Sequence, residues 1–281
     1  GGQVRQLAAR LAERGFVPGD RVALFAPNLP EWSLVDLGCL SAALVVVPLY
    51  PTSTPDQVRH ILADSGARAI FLAGAAEWER VAPLLPELPE LELVVSFDAL
   101  SDDVATLAEE LAAAADESAV DARLAAATGD DLATIVYTSG TTGLPKGVML
   151  HHRGFTNQIS VLNRHLTITP DDSSLCFLPL SHALERAWTY VVLSNGCLNT
   201  YVPDPRTVAE QLVLARPTLL VSVPRLYEKV FQTARDRVAG SAAKQRILSW
   251  SLGVGARYHR ALTAGRTPSA LVAAQYRVAD R

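Results

Sequence analysis

Cysteine is scarce in this sequence, and the patterns that would give it a structural role are missing. The three cysteines, Cys39, Cys176 and Cys197, are far apart, lie in apolar surroundings and form no CxxC or Cys/His spacing. An odd number of cysteines disfavours a disulfide framework, and the spacing matches no usual zinc motif. We therefore predict buried free thiols in a reducing cytosol.

Long apolar runs are also missing. The longest uncharged stretch, residues 37–55, is interrupted by Pro48 and Pro51 and contains Ser and Thr. This pattern predicts a core helix followed by a strand and a loop rather than a membrane span. No secretory signal is recognisable at the start. The expected location is the cytoplasm.

Charged residues make up only 19% of the sequence, and the net charge is −4, so nothing in the overall balance favours nucleic-acid binding. The distribution is uneven, however. Residues 1–200 carry 12 Lys/Arg against 24 Asp/Glu, whereas residues 201–281 carry 13 against 5. Such an asymmetry is typical either of a surface for an anionic partner or of solvated helix faces.

The most informative segment is rich in glycine and hydroxyl groups. Residues 137–147 read YTSGTTGLPKG, and short apolar runs on both sides, 132–136 and 148–150, predict two buried strands. Glycines allow left-handed dihedrals and the close approach of a phosphate, and loop N–H groups can form an anion-binding concavity. Hydroxyl groups add phosphate donors and potential Mg²⁺ ligands, and Lys146 adds a mobile positive charge. The hydroxyl residues are Thr138, Ser139, Thr141 and Thr142.

Two familiar nucleotide motifs do not match this loop. The Walker A spacing fails because Pro145 stands where the second glycine belongs, and GxGxxG is missing. A flexible surface hairpin is the simple alternative, but such hairpins rarely combine this hydroxyl density with Pro-Lys-Gly and two apolar flanks.

Predicted strands alternate with helices of 10–15 residues along the first part of the chain. Strands are predicted at 21–25, 45–48, 68–72 and 91–95. This alternation predicts an α/β fold with a doubly wound, largely parallel sheet covered by helices on both faces. Thr54-Pro55-Asp56 predicts a helix start, because a hydroxyl cap is followed by proline at the first helical position. Further strands are predicted at 198–202 and 219–222, and the chain is predicted to be helical from about residue 224.

Residues 137–147 resemble the phosphate-binding signature of the adenylate-forming (AMP-binding) superfamily. Two other segments resemble motifs of the same superfamily: STP at 53–55 with the helix after it, and FLPLSH at 177–182. HALER at 182–186 and VPRLYEK at 223–229 resemble its long-chain fatty acid–CoA ligase branch. The resemblance implies an incomplete N-terminal AMP-binding domain without the small C-terminal domain. Its expected parts are a first α/β part (1–131), a phosphate-loop and acyl-pocket part (132–222) and a helical insertion (223–281).

The resemblance implies ATP-dependent activation of a long-chain fatty acid to an acyl-adenylate, followed by thioester formation with coenzyme A. ATP, Mg²⁺ and coenzyme A are the implied cofactors and co-substrates. Thr141, Lys146 and His182 are the implied catalytic residues, with Thr141 also near the metal. His182, Glu185 and Arg225 are implied to line the substrate pocket. The implied nucleotide-binding residues are Thr138, Ser139, Gly140, Thr141, Thr142, Gly143 and Lys146.

Several alternatives remain open on the sequence. A fatty acyl-AMP ligase or another adenylating domain would share the loop, and a non-catalytic nucleotide-binding remnant would share it without turnover. Glu185 and Arg186 are compatible with a structural ion pair as well as a substrate contact. The basic region 224–281 either packs on the main domain or contacts the inner membrane face. We expect the 281-residue polypeptide to be a fragment with little activity alone.

Overall fold

The computed structural model describes residues 1–101, 103–138 and 144–280. The chain forms two compact units, Gly1–Val221 and Ser222–Arg281. The predicted division of the chain into two α/β parts and a helical insertion stays a prediction.

The first unit is built on a sheet that has seven strands within the described residues, in the order β5-β4-β3-β1-β2-β6-β7. Every neighbouring pair is parallel except β6 and β7, which are antiparallel. The predicted α/β class with a largely parallel sheet is confirmed. The strands are β1 Arg21–Phe25, β2 Val45–Leu49, β3 Ala69–Leu72, β4 Leu93–Ser96, β5 Ala105–Thr106, β6 Leu132–Thr138 and β7 Lys146–His151.

Helices connect these strands and cover the sheet. Among the described residues of this unit, two short 3₁₀ segments, Ala82–Glu87 and Pro205–Thr207, lie between the α-helices. The α-helices are α1 Gly2–Glu13, α2 Pro30–Ser41, α3 Pro55–Ser65, α4 Ala75–Val81, α5 Leu107–Ala112, α6 Ser118–Ala126, α7 His152–His165, α8 Ala183–Ser194 and α9 Val208–Ala215.

The sheet separates two hydrophobic cores. Side chains alternate along β1, so Val22 and Leu24 join the core that contains α1 and α2, while Ala23 and Phe25 join the core that contains α3. This alternation follows from the two-residue period of a strand. Because both faces of β1 are buried, its sequence is continuously apolar after Arg21.

Helix α3 begins and ends where its sequence indicates. Thr54 forms a capping box with Gln57, Pro55 occupies the first helical position, and Gly66 closes the helix in the left-handed conformation with φ 59°. Both ends of α3 are therefore defined by local chemistry, and its buried side chains, including Val58 and Ile61, hold it on the sheet.

A second, two-stranded parallel sheet follows, formed by β8 Ser173–Cys176 and β9 Leu198–Tyr201. The predicted strand at 219–222 is wrong, because this segment forms only one isolated bridge, from Leu219 to Ser174. Its apolar side chains instead pack on a cluster that includes Trp188 and Val191. Side-chain packing rather than a backbone ladder therefore explains the apolar run.

The three cysteines are buried and unbridged, as predicted. Burial raises the pKa of the Cys39 and Cys176 thiols well above the usual range. Both thiols are therefore protonated at physiological pH and act as small apolar core side chains.

The second unit consists of three helices within its described residues: α10 Pro224–Val238, α11 Ala242–Thr263 and α12 Ala270–Ala279. Tyr258 of α11 stacks on Tyr276 of α12 with ring centroids 4.1 Å apart. Large side chains such as Tyr227 and Trp250 are exposed. No helix in the described part of the chain has the length and apolar character needed to cross a bilayer. Peripheral membrane contact stays a prediction.

Candidate functional site

The parallel strands of the main sheet share one edge at their carboxyl ends, and several polar segments follow them there. Asn28 follows β1, residues 51–54 follow β2, and the glycine-rich segment follows β6. In open α/β sheets, ligands bind outside the carboxyl ends of the strands. A ligand site is therefore expected at this edge.

The glycine-rich segment joins two antiparallel strands. Thr138, the last residue of β6, is the register partner of Lys146, the first residue of β7. Both residues are exposed. The structure thus brings a hydroxyl group and an ammonium-bearing residue to paired positions at the end of a hairpin, an arrangement suited to an anion. The predictions on Ser139, Gly140, Thr141, Thr142 and Gly143 lie outside the described residues.

Gly147 allows the two strands to lie close together beside this end. A Cβ atom at position 147 would lie 2.7 Å from Cγ2 of Ile135 and 3.2 Å from Cζ of Tyr137. Cross-strand neighbours on an antiparallel pair leave little room when one is a tyrosine. The glycine is therefore required by packing, independently of any contact with a ligand.

We expect Gly147→Ala to lower the free energy of unfolding by about 1–3 kcal/mol, because β7 must shift to relieve the contact with Ile135. The control is Gly154→Ala in α7, where a new Cβ meets nothing within 4 Å. Alanine in that open helical position should stabilise by roughly 0.5–1 kcal/mol. Urea unfolding of both variants measures the difference, and equal shifts would contradict the packing argument.

Helix α3 contacts the hairpin at the end of β6 and just before β7. Nε2 of His60 donates to the carbonyl oxygen of Pro145 at 2.8 Å, and the Tyr137 hydroxyl donates to Oδ2 of Asp64 at 2.6 Å. A carbonyl oxygen only accepts, so Nε2 of His60 carries the hydrogen. Burial, with the nearby Asp64 carboxylate, raises the pKa of Tyr137 well above its usual range. The tyrosine is therefore a neutral donor.

His182 occupies the N-cap of α8 and is exposed. Its Nδ1 accepts a hydrogen bond from the backbone N–H of Leu184 at 3.3 Å. When Nδ1 accepts, the hydrogen of the neutral imidazole is on Nε2, which can donate outward. The local fold thus selects one tautomer, and that tautomer suits the predicted donation to an oxygen of a bound ligand, which stays a prediction.

Asn28 holds the turn that leads to His182. Its Nδ2 donates to the carbonyl oxygen of Leu178 at 2.7 Å, and its Oδ1 accepts from the N–H of Leu180 at 3.0 Å. Asn28 is buried and follows β1 in sequence. The sequence analysis did not identify Asn28, because its only local signal is a polar residue shortly after a predicted strand.

Glu185 lies in the first turn of α8 and is fully buried. Its Oε2 accepts from the N–H of Leu178 at 3.1 Å, and its Oε1 has no hydrogen-bond partner within the described residues. Burial raises the pKa of Glu185 to about 8. The side chain is therefore mostly protonated at neutral pH, and its predicted role in the substrate pocket stays a prediction.

Arg186 is buried at the centre of a polar cluster that joins α8, α2 and β6. Its guanidinium makes two hydrogen bonds with the carboxylate of Asp36, donates to Oγ1 of Thr134 at 2.6 Å and donates to the Tyr190 oxygen at 2.8 Å. Arg186 therefore pairs with Asp36 rather than with Glu185. Neither Asp36 nor Thr134 could be recognised in the sequence, because they are distant along the chain from Arg186.

Arg225 is the second residue of α10 and is exposed. It belongs to the second compact unit. Its predicted part in the substrate pocket stays a prediction.

The profile of a protein family described as "AMP-binding enzyme" matches residues 2–278. The chain belongs to this family. The AMP-binding match covers both compact units and includes the hairpin at the carboxyl edge of the sheet.

Curated relatives of this AMP-binding chain are similar over most of its length. Long-chain-fatty-acid–CoA ligase FadD15 of Mycobacterium bovis is 33% identical over 281 residues, which cover 99% of the chain and 46% of the relative. Long-chain-fatty-acid–CoA ligase 1 of Homo sapiens is 30% identical over 257 residues, covering 84% of the chain and 36% of the relative. The chain thus spans less than half the length of these relatives.

Solved structures show the same fold. The N-terminal domain of FACL13 from Mycobacterium tuberculosis, solved with an inhibitor, is 28% identical with a TM-score of 0.68, covering 80% of this chain and 55% of that one. ATP-bound MatB from Rhodopseudomonas palustris is 26% identical with a TM-score of 0.68, and the match covers 82% of this chain and 44% of MatB. The α/β sheet of this chain is therefore that of the N-terminal domains of adenylate-forming enzymes.

Proposed function

We propose that this chain supplies the ATP-binding part of an AMP-forming acid–thiol ligase that activates long-chain fatty acids. The observation that carries the proposal is the pairing of exposed Thr138 and Lys146 at the end of the β6–β7 hairpin. The long-chain substrate rests on the named activity of relatives about 30% identical to this chain. Because the chain spans less than half of those relatives, the complete reaction is proposed for the intact protein.

The first half-reaction forms a bond between a carboxylate oxygen and the α-phosphorus of ATP and breaks the bond to pyrophosphate. A fatty acid is already ionised at pH 7, so no general base is required. What the reaction needs is alignment and relief of repulsion between two anions. Lys146 supplies positive charge at the hairpin, and Thr138 supplies a hydroxyl donor beside it.

In the second half-reaction, the thiol sulfur of coenzyme A forms a bond to the acyl carbon, AMP leaves with the electrons of the acyl–oxygen bond, and the thiol proton is released to solvent. His182 is proposed to donate from Nε2 to an oxygen of the adenylate, since its Nδ1 is occupied by the N–H of Leu184. Coenzyme A as acceptor comes from the resemblance and from the named activity of the relatives.

Mg²⁺ is proposed to enter with ATP rather than to occupy a protein cage. Within the described residues, no group of three or more His, Cys, Asp or Glu side chains could hold a metal ion. We therefore propose that phosphate oxygens and water supply most of the Mg²⁺ ligands, as is usual in nucleotide sites. When bound, the ion would neutralise phosphate charge. Thr141, its proposed protein ligand, lies outside the described residues.

Lys146→Ala tests the proposed phosphate contact. We expect ATP affinity in the intact protein to fall about ten- to a hundredfold, the usual range for a charge-assisted hydrogen bond. The control is Lys244→Ala in α11, which removes the same charge from the second unit. Calorimetric titration with ATP gives the affinity, and ATP–pyrophosphate exchange with palmitate reports the first half-reaction. Equal ATP affinity in the two variants would contradict the proposal.

The exchange assay also distinguishes the proposed ligase from other adenylating enzymes and from a non-catalytic module. Exchange with palmitate well above that with benzoate or an amino acid supports a fatty-acid substrate, and the reverse order excludes it. Formation of acyl-coenzyme A on adding coenzyme A supports a ligase, whereas accumulation of acyl-AMP alone indicates a fatty acyl-AMP ligase. ATP binding without any exchange by the intact protein indicates a non-catalytic module.

A further inference from the structure

Helix α3 reaches the hairpin with two side chains from one face. His60 and Asp64 are four residues apart, so they project from neighbouring turns of the helix. His60 donates a hydrogen bond to the carbonyl oxygen of Pro145, just before β7. Asp64 accepts a hydrogen bond from the Tyr137 hydroxyl, just before the end of β6. The two contacts thus hold the hairpin at β6 and at the residue that precedes β7.

We propose that His60 and Asp64 are positioning residues that place Thr138 and Lys146 for phosphate binding. This inference rests on the proposed function, because it assigns the helix a part in holding the same anion site. Neither side chain is proposed to touch ATP, because His60 is hydrogen-bonded to the main chain and Asp64 is hydrogen-bonded to the Tyr137 hydroxyl.

Strand β7 needs such support because it lies at the end of the sheet. Within the described residues, its only strand partner is β6. Val148 and Met149 are 44% and 65% exposed, and Lys146 and Gly147 at the start of the strand are exposed as well. Side-chain packing therefore adds little to the backbone ladder in holding the start of β7, where Lys146 lies.

The His60 contact acts on the peptide unit that precedes Lys146. The peptide bond is planar, so fixing the carbonyl oxygen of Pro145 also fixes the orientation of the N–H of Lys146. Proline further restricts its own φ to about −65°. These two restraints limit the conformations available to the main chain from which the Lys146 side chain departs.

The helix itself offers a rigid base. Its N-terminus is closed by the Thr54–Gln57 capping box and its C-terminus by Gly66. The His60 and Tyr137 rings also meet edge to face, with centroids 6.1 Å apart. A binding group held by such a support loses less conformational entropy when the ligand arrives, which improves affinity.

The test compares His60→Leu with His60→Gln in the intact protein. Leucine keeps the bulk but removes the donor, whereas the amide nitrogen of glutamine restores a donor near the place of Nε2. We expect leucine to weaken ATP binding roughly two- to tenfold, the usual range for one hydrogen bond, and to change AMP binding much less. Glutamine should restore most of the ATP affinity. Arg59→Leu, which alters the same helix outside the contact, is the control and should bind ATP like the unsubstituted protein.

Tyr137→Phe provides a second variant that removes the other contact. It should also weaken ATP relative to AMP, because Asp64 loses its link to β6. The inference is overturned if ATP affinity is unchanged in both His60→Leu and Tyr137→Phe, or if ATP and AMP affinities fall together with the melting temperature. Failure of the unsubstituted protein to bind ATP would instead overturn the proposed function and this inference with it.

Discussion

Replacing Arg186 with methionine should lower the free energy of unfolding by about 3–5 kcal/mol, a large part of the stability of an ordinary domain. The variant leaves the Asp36 carboxylate buried without its cation, since both side chains are only 1% exposed. It also removes the donor to Thr134, which joins α8 to β6. The loss of stability therefore comes from the unpaired Asp36 carboxylate as much as from the lost contact with Thr134.

A double variant separates these two causes. Asp36→Leu combined with Arg186→Met removes both charges and fills the space with apolar atoms, which is often neutral or even stabilising for a buried pair. We expect the double variant to be more stable than Arg186→Met alone. Urea unfolding of the two single variants and the double variant gives the coupling energy. Additive losses would show that Asp36 and Arg186 do not act as a pair.

Glu185→Gln should raise the free energy of unfolding at pH 8 by on the order of 4–5 kcal/mol. The pKa of Glu185 is raised from 4.5 to about 8 by burial. Between these values the unfolded chain releases the proton while the folded chain keeps it. Folding is therefore progressively opposed as the pH rises from about 4.5 to about 8, and glutamine removes this opposition.

The check is a series of unfolding curves from pH 5 to pH 8.5. The advantage of Glu185→Gln over the unsubstituted chain should be small at pH 5, grow with pH and level off above pH 8. Glu110→Gln is the matched control, because Glu110 is also buried but is paired with Arg10 and Arg14. That substitution should destabilise at neutral pH. A stabilisation by Glu185→Gln that does not vary with pH would contradict the burial argument.

The sequence predicted those parts of the fold that depend on local patterns. The α3 start at Thr54, the stop at Gly66 and the strand at 21–25 were all recognisable, because capping and continuous apolar runs are properties of neighbouring residues. The strand predicted at 219–222 was wrong because the prediction used only neighbouring residues. An apolar run satisfies the local pattern of a strand, but a strand also needs a partner with unpaired backbone groups.

The residues of the candidate site likewise fall into two groups, those that a local motif reveals and those that only the folded chain brings together. Lys146 could be identified because it lies in a continuous motif. His60 lies 86 residues earlier in an ordinary helix, and its contact with Pro145 exists only after α3 packs on the sheet. Asp36 and Asn28 likewise act on residues that are 150 or more positions away in sequence. No local pattern marks such residues.

The sequence by itself determined the alternation of strands and helices in the first part of the chain, the family and the position of the glycine-rich motif that we propose binds phosphate, because each of these is encoded by adjacent residues. Tertiary structure alone decided which side chains contact that motif. It placed His60 against the hairpin, gave Arg186 its partner in Asp36 and left Glu185 buried. The physical reason is that burial and hydrogen-bond partners are set by the packing of distant segments, and these in turn set protonation and stability.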